Sequence, residues 1–129
     1  MADIEKCLKY YLDSSTGIHD IIADRIYPDA LPQNPTLPAL TYGIIAGLEH
    51  HNIDVAYPYY QLSGWASTRS GVKTLGDEIV SAFKRMKGVM GGTSGVRIIQ
   101  VAIENRLTFY EPETKCWQEP IDIKIIYVK

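Results

Sequence analysis

Three histidines, His19 and the adjacent pair His50 and His51, are the residues best suited to acid–base or metal chemistry in this 129-residue chain. An imidazole on a loop holds a metal only where other donors converge. Glu49 and Asp54 are close enough in sequence to supply carboxylates. The spacing matches no standard zinc pattern, so the expectation is a solvated loop tip. Nucleophilic catalysis needs a serine or cysteine held by a base. Ser63-Gly64 and Ser94-Gly95 occur without a Gly-x-Ser-x-Gly elbow. The two cysteines, Cys7 and Cys116, are too few for a disulfide framework and lack metal spacing. They read as reduced, buried thiols. The acids Asp77-Glu78, and Glu111 with Glu113, fall on a helix surface and in a turn, where carboxylates are solvated. Gly91-Gly92-Thr93-Ser94-Gly95 invites a phosphate reading. It lacks the lysine of a phosphate loop and follows a helix instead of preceding one, so it reads as a mobile turn. The expectation is therefore no catalytic residue, no cofactor and no metal, and no enzyme.

The elements that would position these residues are organised around Ser67 to Lys87. Val72, Leu75, Ile79, Ala82, Phe83 and Met86, with Val80 at the edge, recur at gaps of three and four and form one apolar helix stripe. Asp3 can cap a first helix running to about Leu12, with Ile4, Cys7, Leu8, Tyr11 and Leu12 as its stripe. Asp13 to Gly17 reads as its stop, with Gly17 taking a positive φ. Ile18 to Ala23 adds one further turn. Arg25 to Pro28 is a brief extended piece, and the prolines at 28, 32, 35 and 38 make the following stretch a surface loop.

Four strands are expected. Ala39–Ala46 and Tyr59–Ala66 flank a polar loop from Gly47 to Tyr57. After a glycine-rich break come Val96–Tyr110, bulged near Asn105, and Trp117–Val128, joined by a turn at 111–115. Alternation leaves open which face of the second strand meets the helix. The small residues Gly64 and Ala66 assign the face of Tyr60 and Leu62 to it. The last strand becomes apolar on both faces, which predicts cover on two sides, by the first helix or by another subunit. The fold class is thus α+β: a two-layer sandwich in the order helix-strand-strand-helix-strand-strand. It has a four-stranded, mainly antiparallel sheet with helices on one face, in a single domain spanning 1–129.

Composition narrows the function classes. Hydrophobic residues make up 46% and charged residues 22%, enough for a core and against disorder. A net charge of -2 argues against a dedicated nucleic-acid binder. No apolar run approaches the ~18–20 residues that span a bilayer. The charged start, Met1 to Lys6, lacks a signal-peptide pattern, which predicts synthesis into a cytoplasm. Tyr57, Tyr59, Tyr60 and Trp65 crowd one strand and its entrance, and Tyr110, Trp117 and Tyr127 the last hairpin. They read as core plus sheet surface, or as an interaction face turned away from the helices. A small cytosolic protein-binding adaptor using that face is one reading; an enzyme built around His50 or His51 is another.

A resemblance adds to this. Arg25-Ile26-Tyr27-Pro28, then Leu31-Pro32-Gln33-Asn34 and Leu37-Pro38-Ala39-Leu40-Thr41-Tyr42, are similar to the start of a phage tail-completion and tail-terminator family. Tyr60-Gln61-Leu62-Ser63-Gly64-Trp65-Ala66-Ser67 resembles the family's second strand and helix entry. Phe109 to Trp117 and Ile121-Asp122-Ile123-Lys124-Ile125 resemble its close. Gly64, and the long loop holding His50 and His51, depart from the pattern. The resemblance implies a structural protein of long-tailed phages or prophages that completes the tail and enables head joining. It implies self-association as a ring, often of six subunits, with a tail tube protein and a head-closure or connector protein as partners. It implies a place in the virion, with assembly in the host cytoplasm, and neither membrane nor specific nucleic-acid recognition.

Overall fold

The structure, a computed structural model, describes residues 3–47, 54–84, 86 and 88–129. The elements are α1 (Ile4–Ser14), α2 (Thr16–Ile22), β1 (Ile26–Pro28), β2 (Ala39–Ala46), β3 (Val55–Ala56), β4 (Tyr59–Ala66), α3 (Arg69–Lys84), β5 (Gly88–Met90), β6 (Val96–Arg106), β7 (Phe109–Glu111) and β8 (Cys116–Val128), with a 3₁₀ turn at Gly92–Ser94. The chain is α+β, as expected, but its sheet is larger than the four strands expected. The strands run in the order β1-β2-β4-β8-β6-β5, and β3 and β7 also pair with β8. It is also mixed, because β1 lies parallel to β2 while the other pairs are antiparallel. The additional strands, β1, β3, β5 and β7, are two or three residues long. Pieces that short carry no period of their own and form only where a long neighbour offers its backbone.

Local chemistry sets the helices. Asp3 accepts a hydrogen bond from the Glu5 N–H at 2.9 Å, capping α1. The stop expected at Asp13–Gly17 is narrower: Ser15 alone separates the helices, its N–H closing on Leu12, and Gly17 lies inside α2. The residue that ends the second helix is Ala23, which takes a positive φ of 54°. Thr68 accepts from the Gly71 N–H at 3.0 Å at the start of α3. The predicted α3 stripe is buried at Val72, Leu75, Ile79, Ala82 and Phe83, with Met86 and Val80 partly buried beside it.

That stripe packs on the sheet face carrying Leu40, Tyr60, Leu62, Ile121, Ile123 and Ile125, all buried. This is the face assigned from the small residues of β4. A Cβ at Gly64 would stand 3.1 Å from Leu75 Cδ2, so glycine lets the helix approach this closely. The bulge expected near Asn105 lies between Ile103 and Asn105, and a second lies between Ile98 and Gln100. The glycine-rich break is more than a turn: β5 pairs with β6, and the loop packs on α1. A Cβ at Gly91 would lie 2.7 Å from Cys7 Sγ, at φ +99°.

Candidate interaction surface

The residues with chemical potential do not converge. His19 is exposed on α2. His50, His51 and Glu49 lie outside the described residues, and Asp54 accepts the Lys129 N–H through its carbonyl. Cys7 and Cys116 are buried free thiols on different elements. Ser63 is buried in β4, its Oγ accepting from Gln118 Nε2 at 3.3 Å. Among the described residues, no three His, Cys, Asp or Glu side chains are placed to hold a metal ion. No helix is long and apolar enough to cross a membrane.

Charge concentrates instead at one structural joint, which the sequence reading missed. Glu119 is fully buried on the helix side of β8. Arg106 donates to it through Nε at 3.0 Å and approaches it through Nη2 at 2.9 Å. The same Nη2 reaches Asp77 at 2.7 Å, so one acid read as solvated is held to the sheet. Thr108 donates to Glu119 at 2.6 Å, and Lys73 stands 3.7 Å away. Burial by itself pulls the Arg106 pKa down, but the bonds and charges of Asp77 and Glu119 outweigh it and raise the value. Gly76 makes room: a Cβ there would fall 1.4 Å from Glu119 Oε2. The available signal was a glutamate at an inward position of an apolar strand, with a glycine in the middle of the facing helix stripe.

The sheet face turned away from the helices is polar and internally bonded. Trp65 Nε1 donates to Thr41 at 3.0 Å, and Gln61 donates to Asp122 at 3.1 Å. Lys124 stands 3.8 Å from Glu104 and 5.7 Å from the Tyr59 ring centre. A concavity of about 240 Å³ lies here, lined by Asp29, Thr41, Gln61, Ser63, Trp65 and Gln118 among others. The aromatic residues are divided between faces. Tyr60 is buried against the helices, where burial first, then the charges of Glu5 and Asp3, push its pKa well above 10. Tyr110 packs edge-on against Trp117 at 5.4 Å on the last hairpin. The C-terminal half of β8 has no second layer among the described residues: Ile126 is half-buried and Val128 exposed.

What remains open is at the margins of the sheet. Ile44 and Ile45, at the end of β2, are 55% and 54% exposed. Ile99, Leu107, Phe109 and Tyr110 are exposed along the opposite margin. The proline-rich loop beside β1 is anchored where Arg25 Nε donates to the Pro38 carbonyl at 2.8 Å.

Comparison with known proteins identifies this arrangement. Residues 11–127 match the family model described as tail completion protein gp17. Among solved structures the chain is similar to one from the virion of a native gene transfer agent particle. The TM-score is 0.70 at 10% identity, covering 100% of both chains, a likeness of fold alone. No curated protein matches.

Proposed function

The chain belongs to the tail completion protein gp17 family, structural proteins of phage virions, and from that premise we propose that it caps the finished tail tube and makes the tail competent to join a head. It acts as a single domain spanning residues 1–129 and assembles as a ring, of six subunits if it follows related terminators. One side of the ring meets the tail tube protein and the other a head-closure or connector protein. Its place is the head–tail interface of the virion, reached from the host cytoplasm during assembly. No step makes or breaks a bond.

The observation that carries this reading is the family match across residues 11–127. The open sheet margins support it. Exposed apolar side chains on strands that lack a neighbour are stable in solution only while sparse, and they favour pairing with another chain. The Pro28–Pro38 and Gly47–Tyr57 loops are the segments proposed to contact tube or head-closure protein. Deletion of the gene from its phage tests the proposal by microscopy of lysates. Filled heads beside unjoined tails, often of abnormal length, are expected. Intact virions would overturn it.

A further inference from the structure

Backbone parity shows which groups at the margins are unpaired. The Ile125 N–H donates to the Pro58 carbonyl at 3.0 Å, on the side of β8 away from β6. In an antiparallel ladder a residue's N–H and C=O point to the same side, and successive residues alternate. The register of β8 on β4 runs without a shift from Trp117 to Lys124. Val101 and Ile103 lie opposite Ile125 and Ile123, and Tyr110 lies opposite Trp117. All three therefore turn their N–H and C=O away from β8. Strand β5 covers β6 only opposite Val96–Ile98, so among the described residues these groups have no strand beside them.

The other margin is closed along β1 and open above it. Pro28 has no N–H and its carbonyl accepts from Ala30 at 2.7 Å; the Ile26 N–H donates to Asp24 at 2.9 Å. These contacts blunt the β1 edge. The Tyr42 carbonyl accepts from the Asp29 N–H at 2.8 Å, on the side away from β4. Ile44 has the same parity, so its N–H and C=O face a notch above the end of β1 that no strand fills among the described residues. Because β1 fills the place beside β2 as far as Tyr42, a strand enters that notch only end-on.

The β7–β8 hairpin supplies such an end. We propose that strand β7 of this hairpin, Phe109–Glu111, led by the turn at 112–115, enters the notch beside Ile44 of a second copy and adds an antiparallel strand to its sheet. The sense is right: β7 runs opposite to β2, so copies in the same orientation meet antiparallel. The surfaces match in kind, with exposed Phe109 and Tyr110 facing exposed Ile44 and Ile45. Lys115 at the tip and Asp29 at the notch floor carry no ion pair among the described residues, and their charges are opposite. Because tip and notch are different patches of one chain, the contact is head-to-tail, the kind that builds a ring where the rotation between copies closes. This inference rests on the ring reading above and gives that ring its joint.

The test uses Ile44→Pro and Tyr110→Pro, which remove an outward N–H group each together with the side chain, with Ile44→Lys and Phe109→Lys as a second pair that keeps the backbone. Tails lacking the protein are incubated with each variant, and bound copies are counted. Each variant that retains the wild-type circular dichroism should lower the copies bound by about tenfold. A mixture of one notch and one tip variant should give a one-to-one dimer by native mass spectrometry, joined through the single intact contact. Rings of wild-type copy number from either pair would overturn the inference and leave the ring reading intact. Wild-type protein that never gathers in multiple copies on tails would overturn the ring reading, and this joint with it.

Discussion

The two faces of one sheet satisfy their side chains by opposite means. Toward the helices, Leu40, Leu62, Ile121, Ile123 and Ile125 have no exposed surface, and their stabilisation comes from exclusion of water and close contact. Away from the helices, Trp65 bonds Thr41, Gln118 bonds Ser63 and Gln61 bonds Asp122, polar pairs of which the exposed last is replaceable by water. The difference separates stability from availability. Perturbation of the inner face costs the fold, whereas the outer face tolerates change, which leaves the margins free for contact with other chains.

The largest effect is expected where the inner face departs from its own rule. Arg106→Ala leaves the Glu119 carboxylate buried with only Thr108 and a distant Lys73. A loss on the order of 4 kcal/mol is expected by urea unfolding. The double variant Arg106→Met with Glu119→Leu should recover most of it, because an apolar pair of similar volume needs no desolvation. A loss below about 1 kcal/mol for the single variant would show that water reaches this joint and that the inner face is less dry than described. Leu62→Ala, at a purely apolar inner position, should cost roughly 3 kcal/mol through lost burial and the cavity left behind.

Alkaline pH gives the next effect. Burial raises the Tyr60 pKa above that of an unfolded tyrosine, near 10. As pH rises past about 10, the unfolded chain releases this proton first. The folded chain then binds more protons than the unfolded one, so stability falls with rising pH. The slope is about 1.4 kcal/mol per pH unit for one such group. Tyr42, raised chiefly by burial, adds in the same direction. Below pH 9 the contribution is fully present. Tyr60→Phe should flatten the slope, measured as urea midpoints between about pH 9 and 11.

Much of the inner face was readable because burial imposes a period. The α3 stripe, the bulge near Asn105, the Asp3 cap and the helix-facing side of β4 each follow from spacing or residue size. Of the short strands, β1 was foreseen as an extended piece at Arg25–Pro28 and most of β7 as the end of the third strand, while β3 and β5 are too short to carry a period and form only beside β8 and β6. The aromatics divide as the core-plus-surface reading has them. Tyr60 and Trp65 lie five residues apart on β4, so strand parity sends them to opposite faces. The Arg106–Glu119 joint was hidden because its parts are scattered over α3, β6 and β8. Glu119 among the inward apolar positions of β8, with Gly76 in the facing helix, was the local sign.

The smallest effect is expected on the outer face, and it decides whether the contrast is real. Trp65→Phe keeps the ring and removes the N–H that donates to Thr41. The Thr41 hydroxyl is buried and loses one donor, so the loss should be about 1 kcal/mol. Gln61→Ala, whose bond to Asp122 is exposed, should fall within about 0.5 kcal/mol of the parent. Both are read as urea midpoints at constant slope. If Gln61→Ala costs as much as Leu62→Ala, the adjacent residue of opposite parity, then the two faces share one cooperative polar and apolar network. In that case the outer face is held as tightly as the core, and the freedom ascribed to the sheet margins loses its basis.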